Sequence, residues 1–254
     1  VMNITIIGAG RLGKLLVRNL KENFYISIFD PFLKEQEFVG DSTFAGVKRI
    51  DKQSFASVAK SEFIVLCVPM REFESVVRQL AVTLQNETTK TIVVDTCSVK
   101  SFAVEAMKTH LPANVSILGT HPMFGPDSAK ETVFGQKMVL TPERISHKDY
   151  RDVKSYLQKF GLTLIEASAE EHDKQIAHSL FMAHAFGQLV LTTEAGKLEI
   201  DTLGYKRLLR ITETVRNDSF QLFEDMYLFN PYAKDVFLKL EQGMSELRLK
   251  LNKA

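Results

Sequence analysis

An excess of charge of either sign is the first thing this chain lacks. Thirty-two Lys and Arg side chains stand against 31 Asp and Glu, a formal net charge of +1 over 254 residues. That balance leaves no electrostatic footprint for nucleic acid or for an acidic membrane surface, and it favours small-molecule chemistry. A membrane-spanning run is missing too. The most apolar stretch, 176–191, contains His178, His184 and Gln188, and is shorter and more polar than the roughly 20 apolar residues a span needs. Cysteine is scarce: Cys67 and Cys97 are the only two, both at positions that read as strand. Reduced, buried thiols in a cytoplasmic protein are therefore expected, with neither a disulfide framework nor a metal site. The first strand signal begins at Asn3, which leaves no room for a cleavable leader and supports the same location. Internal repeats and low-complexity segments are absent. Hydrophobic content of 45% and charged content of 25% are those of an ordinary soluble chain.

What is present starts almost at once. Asn3-Ile-Thr-Ile-Ile7 reads as a strand, Gly8-Ala-Gly10-Arg11-Leu12-Gly13 as a turn, and the apolar periodicity through Leu16, Val17 and Leu20 as a helix. In a strand–turn–helix frame, Gly8 makes the tight turn, Gly10 lets backbone approach a pyrophosphate, and Gly13 lets the helix pack closely on the strand. The phosphates would sit on the N–H groups at the helix start, around Arg11 and Leu12. A glycine fingerprint alone is weak, and the next strand supplies the test. Tyr25-Ile-Ser-Ile-Phe29 is followed by Asp30, a carboxylate placed to accept from a ribose 2′-hydroxyl and to repel a 2′-phosphate, which favours NAD over NADP.

The chain continues in βαβ rhythm. Phe63–Val68 and Thr91–Val94 are continuous apolar runs of the kind found in doubly covered parallel strands. Ser116–Thr120, Lys137–Leu140 and Leu162–Glu166 read as further strands, and Ser146 with Asp149 has the spacing that opens a helix. After 167 the strand signals stop and long helices follow, broken near Gly196–Gly204 and at Asn230-Pro231. The expected fold is therefore α/β: a Rossmann-type, doubly wound parallel sheet over 1–167, then an all-helical domain over 168–254. Val236, Phe237, Leu240, Met244, Leu247 and Leu251 form one apolar stripe on the last helix. A helical segment this small with so much apolar surface is poorly buried alone, so a homodimer is expected.

Ligands of an open parallel sheet bind beyond the carboxyl ends of its strands. Three segments qualify: Pro69-Met-Arg71, Asp95-Thr-Cys-Ser98-Val-Lys100, and Gly119-Thr-His121-Pro-Met-Phe-Gly125-Pro-Asp127. Pro69 would border the cofactor. Ser98 reads as a helix N-cap or as a substrate contact, two compatible roles. His121, with its backbone restrained by the following proline, reads either as a structural histidine or as a proton acceptor beside a nicotinamide. In the helical half, Asp173, Ala177, Leu180 and His184 fall on nearly one line of a helix. Arg207 and Arg210 turn away from the stripe of Leu208, Ile211, Thr212 and Val215. They read as a solvated face, or, for Arg210, as a bidentate carboxylate ligand.

Together, G-A-G-R-L-G, D-T-C-S-V-K, G-T-H-P-M-F-G-P-D, E-E-H-D-K and N-D-S-F-Q-L-F resemble the prephenate/arogenate dehydrogenase family of tyrosine biosynthesis, with the last two motifs most like its plant-type arogenate branch. The resemblance covers nearly the whole chain. It implies a Rossmann domain joined to a helical dimerisation domain and an NAD(P)-dependent oxidative decarboxylation of arogenate or prephenate, with no metal. Motif by motif, it implies that His121 is the catalytic histidine and Ser98 the serine that hydrogen-bonds the same ring hydroxyl. Asp127 stands where relatives usually carry Glu, Arg210 where an arginine holds a substrate carboxylate, and His184 where many members have a second histidine. Phe181 occupies a site that is histidine in some relatives. Asp218 in N-D-S-F is the residue to recognise the ammonium that distinguishes arogenate from prephenate. Two other classes compete. One is a related dehydrogenase of a hydroxy acid or imine, which commonly carries a lysine at the reacting centre; the other is a catalytically silent NAD-sensing protein. Predicted sheet and helices use up the chain, so neither a fused mutase nor a regulatory domain is expected.

Overall fold

The structure, a computed structural model, describes residues 2–253. It divides into two compact units, the first ending at Ala169 and the second beginning at Glu170.

The first unit is built on one eight-stranded sheet. Its strands are β1 (Asn3–Ile7), β2 (Tyr25–Phe29), β3 (Lys48–Ile50), β4 (Phe63–Leu66), β5 (Ile92–Asp95), β6 (Ser116–Pro122), β7 (Lys137–Arg144) and β8 (Thr163–Glu166), in the spatial order β3-β2-β1-β4-β5-β6-β7-β8. The first six run parallel. The order reverses between β1 and β4, the switch point at which a doubly wound sheet opens its crevice. One departure from an all-parallel sheet is β7, which returns antiparallel to β6 and then pairs parallel with β8. A register shift at Ile117/Leu118 marks that junction.

The apolar runs of β1, β4 and β5 follow from burial on both faces. Ile4, Ile6, Val65 and Val94 join one buried cluster, while the alternate residues Ile64, Leu66 and Val93 are equally inaccessible on the other side. Leu16 and Leu20 of α1 (Arg11–Leu20) and Val153 of α5 (His147–Lys159) pack against the first cluster. As its spacing predicted, Ser146 caps α5 by accepting the Asp149 N–H. Between them in sequence come α2 (Glu35–Gly40), α3 (Met70–Leu84) and α4 (Lys100–His110). Helix α3 has no side-chain cap but buries Met70, Phe73, Val77, Leu80 and Leu84. Full burial of such a side chain contributes roughly 1.5–3 kcal/mol, whereas a cap contributes about 1 kcal/mol. Its stripe, not its ends, therefore decides where it docks.

The second unit is all helix: α6 (Ala169–Ile176), α7 (Met182–Leu191), α8 (Leu203–Asn217), α9 (Phe220–Phe229) and α10 (Ala233–Leu251). Two features depart from the sequence reading. A π-helical segment, Ala177–Phe181, joins α6 to α7, and Ser219 opens α9 by accepting the Leu222 N–H, which adds a break after Asn217. Gly187 lets α7 pack closely on α8: a Cβ there would stand 2.5 Å from Val215. On α10, Val236 is buried while Met244, Leu247 and Leu251 are 52%, 55% and 75% exposed. Among the described residues no helix is long and apolar enough to cross a membrane.

Candidate active site

The glycine loop has the geometry its residue types foretell. Gly8 has φ of +108°, and a Cβ on it would lie 2.2 Å from the Cys67 carbonyl oxygen; a Cβ on Gly13 would lie 2.0 Å from the Gly8 oxygen. Both contacts are to backbone, so neither position tolerates a side chain without moving the loop. Gly10 differs. A Cβ there meets nothing within 4 Å, which leaves space beside the loop for a ligand. Gly10 is the N-cap residue of α1, and no side chain caps that helix, so its first N–H groups point outward with the positive end of the helix dipole.

Asp30 closes the loop as well as bordering it. One carboxylate oxygen accepts the Ala9 N–H and the other the Phe32 N–H, each at 2.8 Å. Ala9, Gly10, Lys14, Asp30, Phe32, Leu33 and Glu37 line a cleft of about 380 Å³. Its one cation, Lys14, is paired with Asp41 at 2.8 Å, and this pairing, with hydrogen bonds from Thr43, lowers the Asp41 pKa to about 2. These features fit the adenosine and pyrophosphate of a dinucleotide. A larger apolar cavity, about 870 Å³, lies between the sheet and helices α1 and α5, but none of the sequence-predicted site residues lines it.

At the carboxyl end of β4, Pro69 is exposed and serves as the N-cap residue of α3. Leu12, half-buried, packs on the cluster of Leu15, Met138 and Leu140. Ser98 does not cap α4, since the cap position is Val99 and the helix begins at Lys100. The N-cap reading is thereby corrected. His121 lies within β6 rather than beyond it, 5% exposed and opposite Val139 of β7. The side chains of Asp95 and Lys100, both fully buried, form an ion pair bonded to Cys97 and Thr120, the neighbours of Ser98 and His121 in sequence. Sequence reasoning had quoted Asp95 and Lys100 without singling them out; a lysine followed by the buried Ala103 and Val104 on one helix face is the signal that it points inward. Lys100 has no surface exposure. Asp127, in the loop after β6, joins Arg11 at the start of α1 in an ion pair of 2.7 Å, both side chains being about half exposed.

Cys67 and Cys97 are free thiols. Burial pushes Cys67 up to about 12 and Cys97 well above its ordinary value, so both are unreactive in the thiol form.

In the second unit, His184 is 4% exposed and its Nε2 lies 3.7 Å from the Asp218 carboxylate. Burial lowers its pKa and Asp218 opposes that shift. Arg210 is exposed on α8. The expected line through Asp173, Ala177, Leu180 and His184 does not survive, because the π-helical segment changes the angular phase between the first and last of them. Asp173 is engaged by His172 and Asn230. Its carboxylate holds the ring of His172 at 2.7 Å and its carbonyl accepts the Asn230 amide at 3.0 Å. Asp225 and Asn230, both 1% exposed, were missed by sequence reasoning. Phe181 stacks on Phe223 with ring centres 5.3 Å apart, which makes it a core residue.

Comparison with known proteins bears on the family and the fold. Residues 190–254 match the family described as TYRAAT1-like, C-terminal domain. Arogenate dehydrogenase 1, chloroplastic, of Arabidopsis thaliana is 29% identical over 256 residues, covering 98% of this chain and 39% of its own length. Arogenate dehydrogenase 2, chloroplastic, of the same plant is 28% identical over 255 residues, covering 98% of this chain and 70% of its own length. The chain thus spans well under half of the first relative and about two-thirds of the second. The crystal structure of prephenate dehydrogenase from A. aeolicus in complex with hydroxyphenyl propionate and NAD+ superposes with a TM-score of 0.74 at 20% identity, covering 100% of this chain and 91% of that one, and so shares its fold. Residues 30–166, more than half of the chain, match the family described as prephenate dehydrogenase, nucleotide-binding domain, and the chain belongs to that family.

Proposed function

We propose that this chain is an NAD-dependent dehydrogenase that decarboxylates arogenate, or less readily prephenate, to form the aromatic ring of tyrosine or its keto acid. The observation that carries the reading is His121, buried at the carboxyl end of β6 in the segment H-P-M-F-G-P, on the same sheet edge as Ser98 and the glycine loop. The first unit serves as the dinucleotide-binding domain and the second as the substrate-binding and dimerisation domain. Membership of the family and the relatives' names support the activity, and the residue roles rest on the motif resemblance.

A bound nicotinamide supplies the acceptor for the hydride that leaves ring carbon C4. His121 takes the proton of the C4 hydroxyl, and Ser98 holds the same oxygen in line. The electrons of the carboxylate bond at C1 then flow into the ring, CO₂ departs, and aromatisation drives the step. His121 returns its proton to the phenolate oxygen, so the base is regenerated and no net proton leaves through it. Arg210 binds a substrate carboxylate. Asp218, beside His184, meets the ammonium that arogenate has and prephenate lacks, and Asp127 borders the substrate.

Asp30 and Glu37 in the adenosine cleft disfavour a 2′-phosphate, and Asp41 occupies the one cation there, so NAD is preferred over NADP. The exposed stripe of Met244, Leu247 and Leu251 supports a homodimer. The free thiols support a cytoplasmic location, although the Arabidopsis relatives are named chloroplastic. Measuring kcat/KM for arogenate and prephenate, each with NAD and NADP, tests the whole assignment. The arogenate–NAD pair is expected to be best. Turnover of neither substrate would remove the activity, and a preference for NADP would show that Asp30 does not control the cofactor.

A further inference from the structure

Parallel strands β5 and β6 pair only as far as Val94 and Leu118. Beyond that point the backbones part, and side chains replace the ladder. Asp95 fills the gap: one carboxylate oxygen accepts the Thr120 N–H at 3.1 Å, and the other accepts the Cys97 N–H at 3.0 Å together with the Lys100 ammonium. Lys100 also donates to the Thr120 carbonyl at 2.6 Å, and the Thr120 hydroxyl donates to the Asp95 carbonyl at 2.5 Å. Both backbone polar groups of Thr120 are thus held, one residue before His121. Ser98 is bracketed between Cys97, whose N–H is held, and Lys100, whose side chain is held.

Stability alone gives no reason for this pair. A buried ion pair contributes no more than well-packed apolar residues of similar volume, because desolvation offsets attraction. Lys100 also sits in the first turn of α4, where the helix dipole disfavours a cation. What the pair does provide is fixed geometry on both sides of the gap between the ends of β5 and β6. We infer that Asp95 and Lys100 are positioning residues that set Ser98 and His121 against each other for the proton transfer, an inference that rests on the function proposed above. Both side chains are fully buried, so they act through their neighbours and not on substrate.

The test is a double-mutant cycle in the full chain. Asp95→Asn with Lys100→Met removes both charges and nearly keeps the shape. With the thermal transition and NAD affinity preserved, kcat is expected to fall roughly 10–100-fold, the cost of a misplacement near 1 Å. Added to His121→Asn, the same two changes are expected to lower the residual kcat by less than about twofold, because the pair acts through that histidine. Equal losses in both backgrounds, or an undiminished kcat in the folded double variant, would overturn the inference. Should the double variant not fold, Thr120→Val, which removes only the hydroxyl bond, is the milder probe. It carries the same expectation of coupling to His121 and is overturned by the same additivity. If the wild-type chain turns over neither substrate, the function falls separately. The positioning is then read from the His121 imidazole proton resonances, whose titration midpoint must differ between wild type and Thr120→Val; identical curves would sink it.

Discussion

The carboxyl edge of the sheet and the helical unit hold their polar groups in opposite ways. At the sheet edge, Asp30 and Asp95 are bonded to backbone N–H groups, and the reactive candidates sit beside strands whose register is already set. In the helical unit, His184 and Asp218 meet at 3.7 Å and Arg210 stands exposed. Its buried polar cluster, His172 with Asp173 and Asn230, ties the start of that unit to the segment before α10. A proton-transfer site needs atoms held to a few tenths of an ångström, which a ladder and a buried ion pair supply. A site that grips a charged substrate benefits from side chains that close on it. The contrast fits the division of labour proposed above, with chemistry in the first unit and recognition in the second.

The largest expected effect breaks the chemical side alone. His121→Asn removes the base while leaving the strand intact, so kcat should drop by roughly 10²–10⁴ with dinucleotide affinity unchanged in a binding titration. Turnover at the wild-type rate would remove His121 from the reaction. Arg210→Ala probes the recognition side. An unpaired substrate carboxylate should raise KM by roughly 10–100-fold and leave kcat nearly intact. If kcat falls instead while KM holds, the two units are not divided in this way.

What was legible in the sequence follows the same line. Gly8, Gly10, Gly13 and Asp30 are readable because a tight turn, an open backbone and a strand-end carboxylate are local requirements, each met within a few residues. His121 and Ser98 stood out because strand ends are visible as the close of an apolar run, although β6 continues through His121 to Pro122. The reversal of β7 was not legible, since an apolar run carries no sign of its direction. Lys100 was passed over because charge is ordinarily solvated, and its burial depends on Asp95 and Thr120, the latter 20 residues away. The Arg11–Asp127 pair spans 116 residues and has no local trace. In the helical unit the π-helical segment defeated the reading directly: helical spacing was counted through residues that do not keep it, so Asp173 and His184 were set on one line.

A smaller effect sharpens the comparison at the cofactor. Asp30→Asn keeps a carbonyl oxygen for one of the two backbone donors but removes the charge, so the ratio of kcat/KM for NAD to that for NADP should fall by about tenfold. An unchanged ratio would shift the preference to Glu37 and the Lys14–Asp41 pair. It would also make Asp30 chiefly a brace for the glycine loop, which its bonds to Ala9 and Phe32 already allow.

The smallest effect belongs to the helical unit. Burial holds the His184 pKa below its ordinary 6.5, with Asp218 partly restoring it. The unfolded chain therefore takes up a proton on this histidine before the folded chain does. Its contribution to stability is complete above about 6.5 and is lost as the pH falls from there towards the folded value. Thermal transitions of wild type and His184→Gln, compared at about pH 7.5 and about pH 5.5, isolate this term from every other titrating group. The wild type should lose more on acidification than the variant. Equal losses would mean that Asp218 cancels the cost of burial and that His184 titrates alike in the folded and unfolded chain.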